Sequence, residues 1–149
     1  MDEGNDRDQV AVLLGRAPQG GFSVCVRDAA GRPLVIRNAP FLDDGRPMPT
    51  LYWLVGPAAV RAVSRLESQG GVRAAAAEVN PAAVSAAHCA YAAERNAAIP
   101  AGHQGPRPSG GVAGTHTGVK CLHAHYAFHL AGGDDPVGRW VAARLEQQP

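Results

Sequence analysis

The sequence predicts an α+β fold, with a small antiparallel sheet of about three strands in the N-terminal third followed by a helical cluster. Two observations carry this. Phe22, Val24 and Val26 alternate with Ser23, Cys25 and Arg27, the period of two that marks a half-buried strand. From Gly56 onward the period becomes helical, and helices open on Gly56-Pro57, Asn80-Pro81 and Asp135-Pro136, pairs that suit a cap and the first helical position.

In chain order, Asp6 or Asp8 caps a short helix through Val10, Leu13 and Leu14 that ends near Gly15 and covers a sheet edge. The strand of Phe22 to Arg27 follows, with Cys25 facing away from the most apolar side. Asp28 to Pro33 supplies turn chemistry, and Leu34 to Arg37 reads as the returning strand of a hairpin. Pro40 to Pro49 holds three prolines and Asp43-Asp44-Gly45, the composition of a rigid loop, before a third strand at Thr50 to Val55. Val60, Val63 and Leu66 form the buried stripe of the first post-sheet helix, which Gly70 and Gly71 stop. A short helix over Val72 to Val79 and a long one from Pro81 to about Ala98 come next. Ile99 to Gly118 has three prolines and six glycines in twenty residues, so it is expected to be a loop without a core of its own. The last helix carries Val137, Trp140, Val141 and Leu145 on one apolar stripe.

A chain of 149 residues is expected to form a single domain over 1–149, the loop 99–118 included. Its formal net charge of +1 provides no general field for nucleic acid, so no nucleic-acid partner is expected. The polar, acidic start and the shortness of every apolar run predict a cytoplasmic protein without membrane insertion. Three cysteines, odd in number and without a CxxC pair, argue against a disulfide framework and a self-contained zinc knuckle.

The densest chemistry lies in Gly118 to Gly138, where Cys121, His123, His125 and His129 fall within nine residues. On a helix advancing about 100° per residue, Val119, Leu122, Tyr126 and Leu130 form a core stripe. Cys121, His125 and Phe128 fall opposite, and His123 joins the core side. Thiolate and imidazole are ordinary zinc ligands, and the i, i+4 spacing offers Cys121 and His125 to one ion. One helix cannot complete such a site, so further ligands would come from His88, Cys89, Cys25, His116 or a carboxylate. Zinc is therefore expected to be absent or weakly held. The alternative is a buried thiol beside a hydrogen-bonded histidine.

A second constellation joins Arg65 and Glu67 with His88, Tyr91, Glu94 and Arg95, residue types able to do acid-base work or hold an anion, or else to form an interhelix salt-bridge network. The run ending at Lys120 lacks the phosphate-loop pattern, although its amides ahead of a helix can bind an anion. Ligand-binding candidates are thus Arg65, Glu67, His88, Tyr91, Arg95, Lys120, Cys121, His123 and His125, expected to converge on one site covered by the loop 99–118.

Four blocks, LDDGRPMPTLYWL at Leu42, SRLES at Ser64, AHCAYAAER at Ala87 and VKCLHAHYAFHLAGGDDPVG at Val119, together resemble the bacterial domain of unknown function 501 family from about Val24 onward. The resemblance implies no activity. Relatives carry cysteines at the positions of Asp28 and Gly56 and a histidine at that of Phe128, so a metal site built on them would be depleted here. The genomic neighbourhood of relatives implies a protein partner in cell division or the envelope. Two readings follow: a small-molecule or anion-binding protein, enzymatic or not, or a non-enzymatic interaction module presenting Tyr52 and Trp53.

Overall fold

The computed structural model describes residues 3–148; Met1, Asp2 and Pro149, the ends of the span expected to form one domain, lie outside them. Helix α1 (Glu3–Leu14) precedes strands β1 (Gly20–Arg27), β2 (Pro33–Leu42) and β3 (Tyr52–Leu54). These form one antiparallel sheet in the order β1-β2-β3. Helices α2 (Pro57–Ser68), α3 (Gly71–Glu78), α4 (Pro81–Asn96), α5 (Leu122–Leu130) and α6 (Pro136–Glu146) follow, with a single 3-10 turn at Val112–Gly114. The α+β architecture predicted from the sequence is therefore present. No helix of the described residues is long and apolar enough to cross a membrane.

In β1, half-buried Phe22 and Val24 alternate with exposed Ser23 and Cys25. The register then slips: Val24 faces Ile36, but Val26 faces Val35. Cys25 is thus the extra residue of a bulge, which turns the strand and moves the following side chain to the other sheet face. Accordingly Val24 and Ile36 pack in one cluster while Val26 and Val35 pack in another. The first cluster is closed by Val10, Leu13 and Leu14 of α1, so this helix covers a sheet face rather than the expected edge. It also starts earlier than expected; Asp6 lies within it and pairs with Arg27 at 2.8 Å instead of capping.

Strand β2 runs on through Leu42, past the point where Pro40 had suggested a loop. Pairing skips from Phe22–Asn38 to Gly20–Leu42, and in such an irregular stretch a residue without an N–H is tolerated.

The opposite sheet face packs on α4 and α5 through Val35, Leu51, Tyr52, Tyr91, Val112 and Phe128. Tyr91 meets Phe128 edge-on with ring centroids 5.0 Å apart. A third cluster, with Val63, Leu66, Ala75, Val84, Leu122, Val137 and Val141, joins α2, α3 and α6 around the start of α5. Helix α5 is consequently enclosed on more than one side: Leu122, His125, Ala127 and Phe128 are all buried. Full burial of a side chain such as Leu122 or Phe128 contributes about 1.5–3 kcal/mol. This differs from the single Val119-to-Leu130 stripe of the helical wheel, and the reason is tertiary. Gly138 lets α6 approach so closely that a Cβ there would lie 2.3 Å from the Cβ of His129.

Candidate functional site

The site begins with where α5 starts. Cys121 is its N-cap, with extended backbone (φ −141°, ψ 118°). A residue outside the helix does not follow the 100° advance, so the sulfur does not share a face with His125. It turns instead towards His123, whose Nδ1 lies 3.9 Å from Sγ. The third member comes from α2. Val60, Ser64 and Glu67 stand at i, i+4 and i+7 and so share one stripe of that helix. Glu67 Oε2 accepts the Leu122 amide at 2.8 Å, supplying from another helix the cap that Cys121 leaves unmade, while Oε1 lies 3.3 Å from His123 Nδ1. His123 Nε2 faces Ser64 Oγ at 3.0 Å and the Val60 carbonyl at 3.3 Å. One ligand atom each from Glu67, Cys121 and His123 lies within 4.8 Å of the others. The Cys121 thiol, and secondarily the Glu67 carboxylate, raise the His123 pKa above its ordinary value against the opposing effect of burial.

Cys121 and His123 border an open cavity of about 400 Å³ between β3, α2 and the start of α5, with Tyr52, Trp53, Leu54, Val60, Ala113 and Lys120 in its walls. Lys120 is exposed and joins no ion pair among the described residues. Ala113 has φ 60° and ψ 21°, a left-handed conformation that L-residues adopt at a cost.

The other sequence-derived candidates lie apart from this group, so the expected convergence on one site is only partial. His88 is buried and uses both ring nitrogens on the loop: Nδ1 accepts the Val112 amide at 3.0 Å, and Nε2 donates to the Gly118 carbonyl at 2.8 Å. Gly111 makes room for this, since a Cβ there would sit 2.6 Å from that of His88. The Tyr91 hydroxyl accepts the amides of Leu51 and Tyr52 at 2.7 and 3.1 Å. Arg95, 1% exposed, donates to the carbonyls of Pro49 at 3.0 Å and Gly110 at 2.8 Å and to Asn96 Oδ1. Burial pushes its pKa down. Helix α4 thus fastens the long loop and the chain before β3. The loop, expected to be free of any core, is tied along its second half, from Gly110 to Gly118, and buries Val112 completely.

His125 is fully buried, and its Nδ1 donates to Asp135 Oδ2 at 2.6 Å; its Nε2 has no partner among the described residues. This replaces the expected Cys121–His125 metal pair with a His–Asp pair and a separate Cys121–His123–Glu67 cluster. Arg65 is exposed, and its side chain makes no hydrogen bond or ion pair among the described residues. Cys89 and Cys25 are exposed; the carboxylate needed beside Cys121 is that of Glu67.

Sequence reasoning missed a further polar group at the sheet. Arg37 Nη1 donates to Glu94 Oε1 at 2.8 Å and to the Tyr52 hydroxyl at 2.9 Å, and that hydroxyl also donates to Glu94. Burial, reinforced by Glu94, pushes Tyr52 up to about 12. Tyr52, only 4% exposed, is buried by α4 and α5 across the sheet, which the expected strand from Thr50 to Val55 did not reveal.

A family profile described as "Protein of unknown function (DUF501)" matches residues 24–143. No curated protein and no solved structure matches the chain.

Proposed function

Since the chain belongs to the domain of unknown function 501 family, a membership that assigns no activity, we propose from geometry that it binds a small molecule bearing an anionic group in the cavity between β3, α2 and α5. The observation that carries this reading is that Cys121 and His123 line the same cavity as Lys120, with Glu67 held against them from α2. Apolar walls with a few convergent polar groups are the ordinary build of a ligand site. Trp53, Leu54 and Val60 supply the apolar part, and the ammonium of Lys120 meets the anion.

The alternative of a docking module for division or envelope proteins rests on the genomic neighbourhood of relatives and on exposed aromatics. It has less support here, because Tyr52 is buried and Trp53 packs partly buried against the α1 cluster.

The test is a thermal-shift series with inorganic phosphate, sulfate and small dicarboxylates. At least one should raise Tm in the unaltered protein, and Lys120→Ala should remove that shift while melting at nearly the same temperature without ligand. A shift that survives Lys120→Ala, or no shift with any of these anions, refutes the reading.

A further inference from the structure

We propose that Glu67, Cys121 and His123 form a three-ligand site for a divalent ion of zinc-like softness, with its remaining position open to the cavity. The inference rests on the ligand-binding reading only for what would occupy that open position.

The first argument concerns protons and lone pairs. The Val60 carbonyl beside His123 Nε2 can only accept, and Ser64 Oγ at 3.0 Å is able to accept as well, a setting that suits a hydrogen on Nε2. In the neutral ring, Nδ1 then presents a bare lone pair towards a carboxylate oxygen at 3.3 Å and a sulfur at 3.9 Å. A proton on Nδ1 satisfies this group as a His123–Glu67 ion pair, whereas a divalent cation satisfies all three atoms at once. The backbone carbonyl beside Nε2 and the Leu122 amide that holds Glu67 Oε2 are the kind of supporting contacts that orient metal ligands.

The second argument is metric. A tetrahedral zinc with N and O ligands at about 2.05 Å and S at about 2.3 Å separates N from O by about 3.3 Å and N from S by about 3.6 Å. The corresponding separations here are 3.3 and 3.9 Å. Thiolate, imidazole and carboxylate together select a borderline ion over magnesium or calcium. Three protein ligands with an open fourth position resemble a reactive rather than a closed structural centre.

The experiment is titration of the full, chelator-treated chain with Co²⁺, followed by displacement with Zn²⁺. A near-ultraviolet thiolate-to-cobalt charge-transfer band should appear at one equivalent and vanish on adding zinc. Cys121→Ser should abolish the band, while Cys25→Ser and Cys89→Ser retain it. Glu67→Gln, which keeps an oxygen for the Leu122 amide, should weaken cobalt binding at least about tenfold with little change in melting temperature. A band that survives Cys121→Ser, unchanged affinity in Glu67→Gln, or no band in the unaltered folded protein overturns the inference. A band with the stated variant pattern but no response to any anion supports the metal site and refutes the ligand reading. Anion binding without any band does the reverse.

Discussion

Replacing Asp135 tests how the fold holds α5 against α6. This carboxyl is 0% exposed. Its Oδ1 accepts the amides of Val137 and Gly138 at 2.9 and 3.1 Å, and its Oδ2 accepts from His125 Nδ1 at 2.6 Å. Asp135→Ala removes a helix cap, costing about 1 kcal/mol, and leaves a buried imidazole N–H without an acceptor, costing about 2 kcal/mol more. The expected loss is about 3 kcal/mol. Asp135→Asn keeps the cap, but its amide donates towards Nδ1. The ring hydrogen must then move to Nε2, which has no partner among the described residues. Only the second cost remains, about 2 kcal/mol. Urea denaturation at neutral pH measures both, and Tm should fall by about 2–4 °C per kcal/mol in a chain of this size. A loss below about 1 kcal/mol for Asp135→Ala, or a larger loss for Asp135→Asn than for Asp135→Ala, would refute the division into cap and imidazole contributions.

Three further outcomes are expected. Arg95→Ala strips the carbonyls of Pro49 and Gly110 of their buried donor, so it should cost about 3 kcal/mol and raise amide exchange around Val112; unchanged exchange there would mean that the loop does not depend on this clasp. Ala113→Gly relieves a left-handed alanine and should stabilise by about 0.5–1 kcal/mol after the entropy of the unfolded glycine is deducted; a destabilised variant would show that its methyl matters more than its backbone. Tyr52 is raised above its unfolded value, so its contribution to stability is intact below about pH 10 and disappears as pH climbs through the folded value of about 12. The tyrosinate absorbance difference between the unaltered chain and Tyr52→Phe should rise only in that alkaline range, and a rise centred near pH 10 would contradict the burial argument.

Much of the architecture was readable because its signals are local. Asn80 and Asp135 both cap through their side chains ahead of a proline, and Gly56-Pro57 starts α2 where expected. The Cys25 bulge, the extension of β2 past Pro40 and the enclosure of α5 depend on partners distant in sequence. For the site, one residue decided the outcome. Treating Cys121 as helical paired it with His125, whereas its extended backbone pairs it with His123. The Val60–Ser64–Glu67 stripe was visible as a spacing, but nothing local says which helix it faces. The glycines of the loop suggested freedom, yet carbonyls and amides of that loop are taken up by His88 and Arg95.

The pairing of Glu67 with the Leu122 amide spans 55 residues, and that of His123 with the Val60 carbonyl spans 63. Synthesis is vectorial, so α2 and the whole sheet are made well before their partner at the start of α5. Until then the Cys121 environment does not exist, and the sheet face that will meet Phe128 stays uncovered. Such late, long-range closures slow folding and leave apolar surface open to aggregation in the meantime. The Cys121 thiol therefore also reports on maturation: its reactivity towards an alkylating agent tracks whether α2 has docked on α5.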